Sequence, residues 1–403
     1  MSAIFIGAAI LLGIAVAVYF FFVKNDKKGT SKSNSKNSHP NNNQSNNSQK
    51  NSMKEEKKED KKEDKIKQTK QQKQQKQQSK PMETAEHYMT VGNTIPICMS
   101  FEQTGEYFVV ACRNRQQILF EVNGIDKNAP GKQRYRLTDD TVVDCSFFTN
   151  NSKQLEVAFA LDRSKSIQSF VLIPNSNKFE NGQINIPNAG KLTVDKIQVA
   201  PDQSFVAALG DETYIRVFHP NGTHLFAKDT SQMRNTEITV SSNSELVSAS
   251  SYTSEIVVYG IDRDRSDVPS KVTKAFSFSE HKNSIQTLDF DRKTMLIASG
   301  SKDCKYNVWL APLRWREGDI ARLQWSGTLP EPIFLIRMCP TSQMVACVTE
   351  NGKLYFCTKE GIQKTVDVAH NMGVADIKWS PDGRFVVVMS HGSQFLYAFE
   401  RPN

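Results

Sequence analysis

Three regimes of hydrophobic and polar residues divide the chain. Residues 4–23, IFIGAAILLGIAVAVYFFFV, are apolar without a charge, residues 24–80 hold almost nothing apolar, and beyond them short apolar runs alternate with turn-forming clusters. The third regime has an internal rhythm. SGSKDCKYNVWL (Ser299–Leu310) reads as a strand, a tight turn carrying an Asp, and a second strand that ends in Trp. SIQTLDF (284–290) alternates as an earlier strand of the same unit. Runs of this length, rich in β-branched and aromatic residues and bounded by Gly, Asn, Asp and Ser, predict strands rather than helices.

The same triplet of strands recurs six more times: IPICMSF/YFVVACR/QQILFEV, VVDCSFF/LEVAFAL/SIQSFVL, DKIQVA/SFVAALG/TYIRVF, TEITVSS/LVSASSY/EIVVYG, PIFLIRM/MVACVTE/KLYFCT and VADIKWS/FVVVMSH/QFLYAF. An aromatic near the end of each third strand tests the alignment: Phe120, Phe170, Phe218, Tyr259, Trp309, Phe356 and Phe399, in a chain that is 9% aromatic. Each follows the last core residue of its first strand (Phe101, Phe148, Val199, Val240, Phe290, Met338, Trp379) by 18 to 22 residues, and the unit repeats every 41 to 51. That is the period of a β-propeller blade.

The repeat resembles the WD40 family, whose blades have four antiparallel strands. Outer-strand candidates are KQRYRLT, the region around GQINI, THLFAKD, KAFSFS, DIARLQW and KTVDVA, six for seven units. AEHYMTV (85–91) supplies the seventh, so the expected fold is all-β: a seven-bladed WD40-type propeller over residues 83–403, closed by an N-terminal outer strand. The resemblance implies a monomeric propeller and a structural hydrogen-bond tetrad, carried in the fifth unit by His281, Ser299, Asp303 and Trp309. Other units depart from it, with Asn114, Thr253 and Ser393 at the Asp position.

The apolar segment changes the picture. Twenty apolar residues at the helical rise match a bilayer's hydrocarbon thickness, and bulky Tyr19-Phe20-Phe21-Phe22 closes the run where a cleavable leader would carry small residues. We read 4–23 as a transmembrane signal anchor. Lys24, Lys27 and Lys28 follow it directly, which places the remainder in the cytosol. Residues 24–82 form a disordered Lys/Gln/Asn-rich linker. Within 24–80 stand 17 Lys and 7 acidic residues, a surplus larger than the chain's net +8, so the repeats themselves are slightly acidic. Its lysines allow weak RNA or anionic-lipid contact, although interleaved acids and the lack of aromatics favour a solvated tether.

Little chemistry accompanies this frame. There is no CxxC, no HExxH, no G-x-x-x-x-G-K-[ST] and no Gly-rich dinucleotide turn, so no catalytic residue, cofactor or metal is expected. His281, Asp303 and Ser299 imitate the residue types of a hydrolase triad, but inside a blade they serve structure. The loop APLRWREGDIARLQW offers Arg314, Trp315, Arg316, Arg322 and Trp325 as a partner surface, since Trp and Arg dominate binding hot spots; the favoured reading of the same residues is a long hairpin whose alternate side chains pack on the outer strand. A second insertion, IPNSNKFENGQINIPNAGK, is expected to be loose.

Within the WD40 family, the single N-terminal span, Lys-rich linker and segments DTSQMRNTEITVSSNSELVSAS and SKDCKYNVW are similar to a branch associated with the endoplasmic reticulum membrane. The resemblance implies a non-enzymatic scaffold on its cytosolic face, serving a stress kinase, translation control and ribosome-associated factors. The alternative is a guanine-nucleotide exchange factor for a small GTPase in vesicle-coat assembly; that family places its span after the propeller, whereas here it comes first.

Overall fold

Each apolar triplet forms three strands whose alternate residues face opposite, covered sides of the sheet, and each outer candidate forms a fourth, more exposed strand. The computed structural model describes residues 85–403 apart from 177, 190–192, 211–212 and 369–372. The expected anchor at 4–23 and linker at 24–82 lie outside the described residues. Among the described residues no helix is long and apolar enough to cross a membrane.

The strands run in chain order. β1 (His87–Thr90) comes first. A four-stranded sheet follows: β2 (Pro96–Phe101), β3 (Tyr107–Cys112), β4 (Gln117–Glu121) and the short β5 (Gln133–Tyr135). The next comprises β6 (Val142–Thr149), β7 (Leu155–Leu161), β8 (Ser166–Leu172) and β9 (Phe179–Ile186), and the third β10 (Lys196–Val199), β11 (Val206–Leu209), β12 (Tyr214–Phe218) and β13 (His224–Asp229). Then come β14 (Asn235–Val240), β15 (Leu246–Ser251), β16 (Ile256–Arg263) and β17 (Pro269–Phe278), followed by β18 (Ile285–Phe290), β19 (Leu296–Ser301), β20 (Lys305–Leu310) and β21 (Arg322–Thr328). Two further sheets hold β22 (Ile333–Met338), β23 (Val345–Thr349), β24 (Lys353–Thr358) and β25 (Gly361–Asp367), then β26 (Val374–Trp379), β27 (Phe385–Ser390) and β28 (Phe395–Glu400) with β1 at the edge.

The architecture is an all-β propeller. Its sheets differ from the expectation of seven separate blades: five stand alone with four strands, while β14 to β21 form one eight-stranded sheet. The two halves join where Ser251 at the end of β15 pairs with Ile285 at the start of β18. Neighbouring first strands touch all the way round, and β26 returns to β2. β1 pairs antiparallel with β28, His87 opposite Ala398 and Thr90 opposite Phe395. The insertion expected to be loose between the second and third units instead contains β9.

Side-chain to backbone bonds lock the register between units. In five units the residue just before the first-strand anchor accepts the backbone N–H of the next unit's anchor: Ser100 from Phe147 (3.0 Å), Ser146 from Val199 (3.2 Å), Gln198 from Val240 (3.2 Å), Thr239 from Phe290 (3.2 Å) and Asp289 from Met338 (2.9 Å). These bonds correct one sequence anchor, which is Phe147 rather than Phe148. The β6–β7 hairpin is longer than its counterparts, with Phe148 and Thr149 still paired to Glu156 and Leu155, and two adjacent Phe residues hide which one is the anchor. The seven aligned aromatics are all buried. On β20, Tyr306 and Val308 pack toward the β22–β24 sheet while Trp309 packs against Leu246, Val258 and Phe290 on the other side.

Candidate functional site

The fifth unit brings the predicted tetrad together. His281, in the turn before β18, is buried; its Nδ1 lies 3.2–3.3 Å from both Asp303 carboxylate oxygens and its Nε2 lies 2.9 Å from Ser299 Oγ. The Trp309 indole N–H donates to the same Ser299 Oγ at 3.4 Å. Asp303, in the β19–β20 turn, also accepts the backbone N–H groups of Lys282 (2.8 Å) and Lys305 (3.0 Å). Burial pushes the His281 imidazole below its ordinary value, against the pull of Asp303. The consistent arrangement is neutral imidazole, with Nδ1–H donating to Asp303 and Nε2 accepting. Burial opposes the Asp303 charge, yet the two backbone N–H groups and His281 hold it below the usual carboxylate range. The sequence reading missed a fifth member: Asn307 Nδ2 lies 3.3 Å from His281 Nε2. Ser299 is 0% exposed, and its hydroxyl is enclosed by partners instead of facing a substrate. Such networks satisfy buried polar groups and fix a unique packing.

The aromatic and basic residues of the blade-five loop divide between structure and surface. Trp315, in the short 3-10 turn Trp315–Glu317, is buried against the neighbouring half of the eight-stranded sheet. It occupies space that only a glycine leaves: a Cβ on Gly260 would stand 2.0 Å from its ring. Arg316 lies over the Trp315 ring at 4.2 Å and bonds Asp262 Oδ1 and the Ile261 carbonyl, both at 3.2 Å. The pair therefore clamps the loop onto β16. Trp325, in β21, is half-buried against the next core cluster. Arg314 and Arg322 stay exposed, with Arg314 near Glu317 and Asp319 (3.5 Å each). Residues the sequence reading passed over complete the surface: Leu313 and Ile320 are each 73% exposed, beside the exposed Leu310 and Leu323.

A third feature lies on the propeller axis. The first strands surround a cavity of about 350 Å³ lined by Asp144, Lys196, Glu237, Asp289, Arg337 and Lys378 among others. Arg337, buried, joins Glu237 and Asp376 (2.9 Å) and donates to Thr287 Oγ1 at 3.2 Å; Lys378 approaches Asp376 at 3.4 Å and Lys196 approaches Asp144 at 4.0 Å. Burial raises the Asp144 carboxyl despite Lys196, while Asp144 in turn holds the Lys196 ammonium high. Burial also works against the charge of Asp376, but Lys378 and Arg337 outweigh it and keep that carboxyl low. Among the described residues Asp289 has no such partner within ion-pair distance, and burial raises it to about 6. The signal was present in the sequence: Asp144, Lys196, Glu237 and Asp376 each stand three residues before the corrected anchors, and Asp289, Arg337 and Lys378 one before. Among the described residues no cluster of three or more His, Cys, Asp or Glu is placed to hold a metal.

Comparison with known proteins agrees with this geometry. The family model "WD domain, G-beta repeat" matches residues 272–309, which contain the whole His281–Ser299–Asp303–Trp309 network. Transducin beta-like protein 2 of Mus musculus is 21% identical over 302 residues, and that of Homo sapiens 20% over 303; each match covers 72% of this chain and 66% of the relative. The chain thus spans just under two thirds of the length of these relatives.

Proposed function

We propose that the chain is a non-enzymatic scaffold, tethered through residues 4–23 to the cytosolic face of the endoplasmic reticulum and acting there as a monomer. The two halves of the eight-stranded sheet count as separate blades in this reading, giving seven. Its protein partners belong to the stress response of secretory protein folding: the stress kinase, translation control and ribosome-associated factors. Similarity to transducin beta-like protein 2 supports the scaffold class, and the apolar 4–23 segment followed by lysines supports the tether.

One observation carries the partner-binding reading. Of eleven exposed large hydrophobic residues among those described, four (Leu310, Leu313, Ile320 and Leu323) sit on the β20–β21 hairpin, next to Arg314 and Arg322. Contiguous exposed apolar groups rimmed by charge mark interaction surfaces. Proximity labelling from the propeller, with and without secretory-folding stress, tests the reading with the full chain. The expected result is stress-dependent labelling of a membrane kinase or translation factors that falls in L313D/I320D. Labelling confined to vesicle-coat GTPases, or unchanged in that variant, would overturn it.

A further inference from the structure

The mouth of the axial cavity holds two cations without an ion-pair partner among the described residues. Arg292 and Lys293 follow Asp291 in the turn from β18 to β19, and both line the mouth of the cavity. Both are exposed and neither forms an ion pair among the described residues, although Asp289, Glu102 and Asp291 attract Arg292 at longer range. Nearby carboxylates are committed elsewhere. Asp291 accepts the backbone N–H groups of Lys293 (3.3 Å) and Thr294 (3.1 Å) and the Thr294 hydroxyl. Glu102 accepts Thr104 N (2.6 Å), Thr104 Oγ1 (2.5 Å), Glu106 N (2.7 Å) and Thr149 Oγ1 (3.2 Å). Asp289 accepts the Met338 N–H at 2.9 Å.

Deeper in, three cations face three lining carboxylates, so the positive surplus of the cavity comes from the mouth pair. Lys196, Arg337 and Lys378 join the mouth pair, so five cationic side chains line the cavity against three carboxylates, Asp144, Glu237 and Asp289. The fourth carboxylate, Asp376, packs behind and is already engaged by Arg337 and Lys378. A concave site with low-dielectric walls concentrates such a field, and a guanidinium at its mouth suits the paired oxygens of a phosphate or carboxylate. About 350 Å³ falls at the small end of ligand pockets. Other turns that close this end contribute neutral groups, among them Gln103, Ser242, Pro340 and Pro381.

We propose that the axial cavity binds a small, multiply charged oxyanion, phosphate-bearing or polycarboxylate, met at the mouth by Arg292 and Lys293 and inside by Lys378. Thermal unfolding of the full chain tests this, with tripolyphosphate or citrate added at matched ionic strength against sodium chloride. A ligand held only by the folded propeller raises its Tm by mass action, whereas probe captured by the lysines of 24–80 leaves that transition unchanged. The expected result is a saturable rise. Tripolyphosphate outperforming citrate identifies phosphate as the natural group, and the reverse order a polycarboxylate. R292Q/K293Q should need roughly tenfold more probe for the same rise. D289N, which removes an opposing charge while keeping an acceptor for Met338, should need severalfold less. No rise beyond the chloride control, or an equal rise in R292Q/K293Q, overturns the proposal.

Discussion

Replacing Arg337 by Met removes the guanidinium that joins Glu237, Asp376 and Thr287 but keeps most of the aliphatic stem. The side chains of Arg337, Glu237 and Asp376 are only 6%, 14% and 11% exposed, so the loss cannot be treated as that of a surface ion pair. Removing one partner from a buried pair costs about 3–5 kcal/mol, mainly because a charge is left behind without compensation. Both carboxylates lie at or beside a cavity that admits water, which favours the lower end, about 3 kcal/mol at pH 7. Urea unfolding of the full chain, followed by tryptophan fluorescence, measures the difference. Asp376 keeps Lys378 at 3.4 Å, so the charge left without compensation is chiefly that of Glu237. If that orphaned charge is the cause, neutralising it should restore stability: E237Q/R337M is expected within about 1–2 kcal/mol of wild type. A single R337M cost below about 1 kcal/mol, or a double variant no better than R337M alone, would refute the reasoning.

Three further outcomes follow from the same geometry. D303N retains shape but turns donors toward Lys282 N or Lys305 N, and should cost about 2–3 kcal/mol in urea unfolding. Because the folded Asp303 and His281 values are both depressed, their stabilisation is present above the unfolded values, near pH 4 and 6.5, and is lost as pH falls through the folded ones; D303N should lack the lower part of that acid slope. Asp289 has the opposite sign: with a folded value of about 6 its charge opposes folding at neutral pH, so D289N should be more stable by about 1–2 kcal/mol at pH 7.5, a gain that vanishes near pH 4. In the blade-five loop, W315A should cost about 3–4 kcal/mol and L313A less than about 0.5, which separates clamp from surface by thermal unfolding.

The repeat was legible because each strand's alternation is local, and because an aromatic in the third strand recurs at a nearly constant distance. All six outer-strand candidates form strands, even GQINI inside an insertion, and AEHYMTV supplies the closing strand. The His281 network was legible for a similar reason: its four members lie within one unit. Asn307 escaped because the matched tetrad contains no residue at its position. The axial charges were harder. Glu237 and Arg337 are 100 residues apart, and each alone reads as an ordinary polar position on a half-covered strand. Their common phase emerges only after Phe147 replaces Phe148 as the anchor. Trp315 was picked out as unusual with both a packed and a partner-facing reading open, since composition does not reveal whether an indole faces a partner or fills the gap above a glycine.

The pairing of β1 with β28 also imposes an order on events during synthesis. His87 leaves the ribosome early, while its neighbour Glu400 follows 313 residues later. At about 5–20 residues per second, β1 waits roughly 15–60 s for its partner strand to be made. Throughout that interval Met89 and Val91, both fully buried in the finished ring, lack their final packing surface. A chaperone that shields this short apolar segment would act in that window, and a chain truncated within β28 would carry the exposed segment for its whole lifetime.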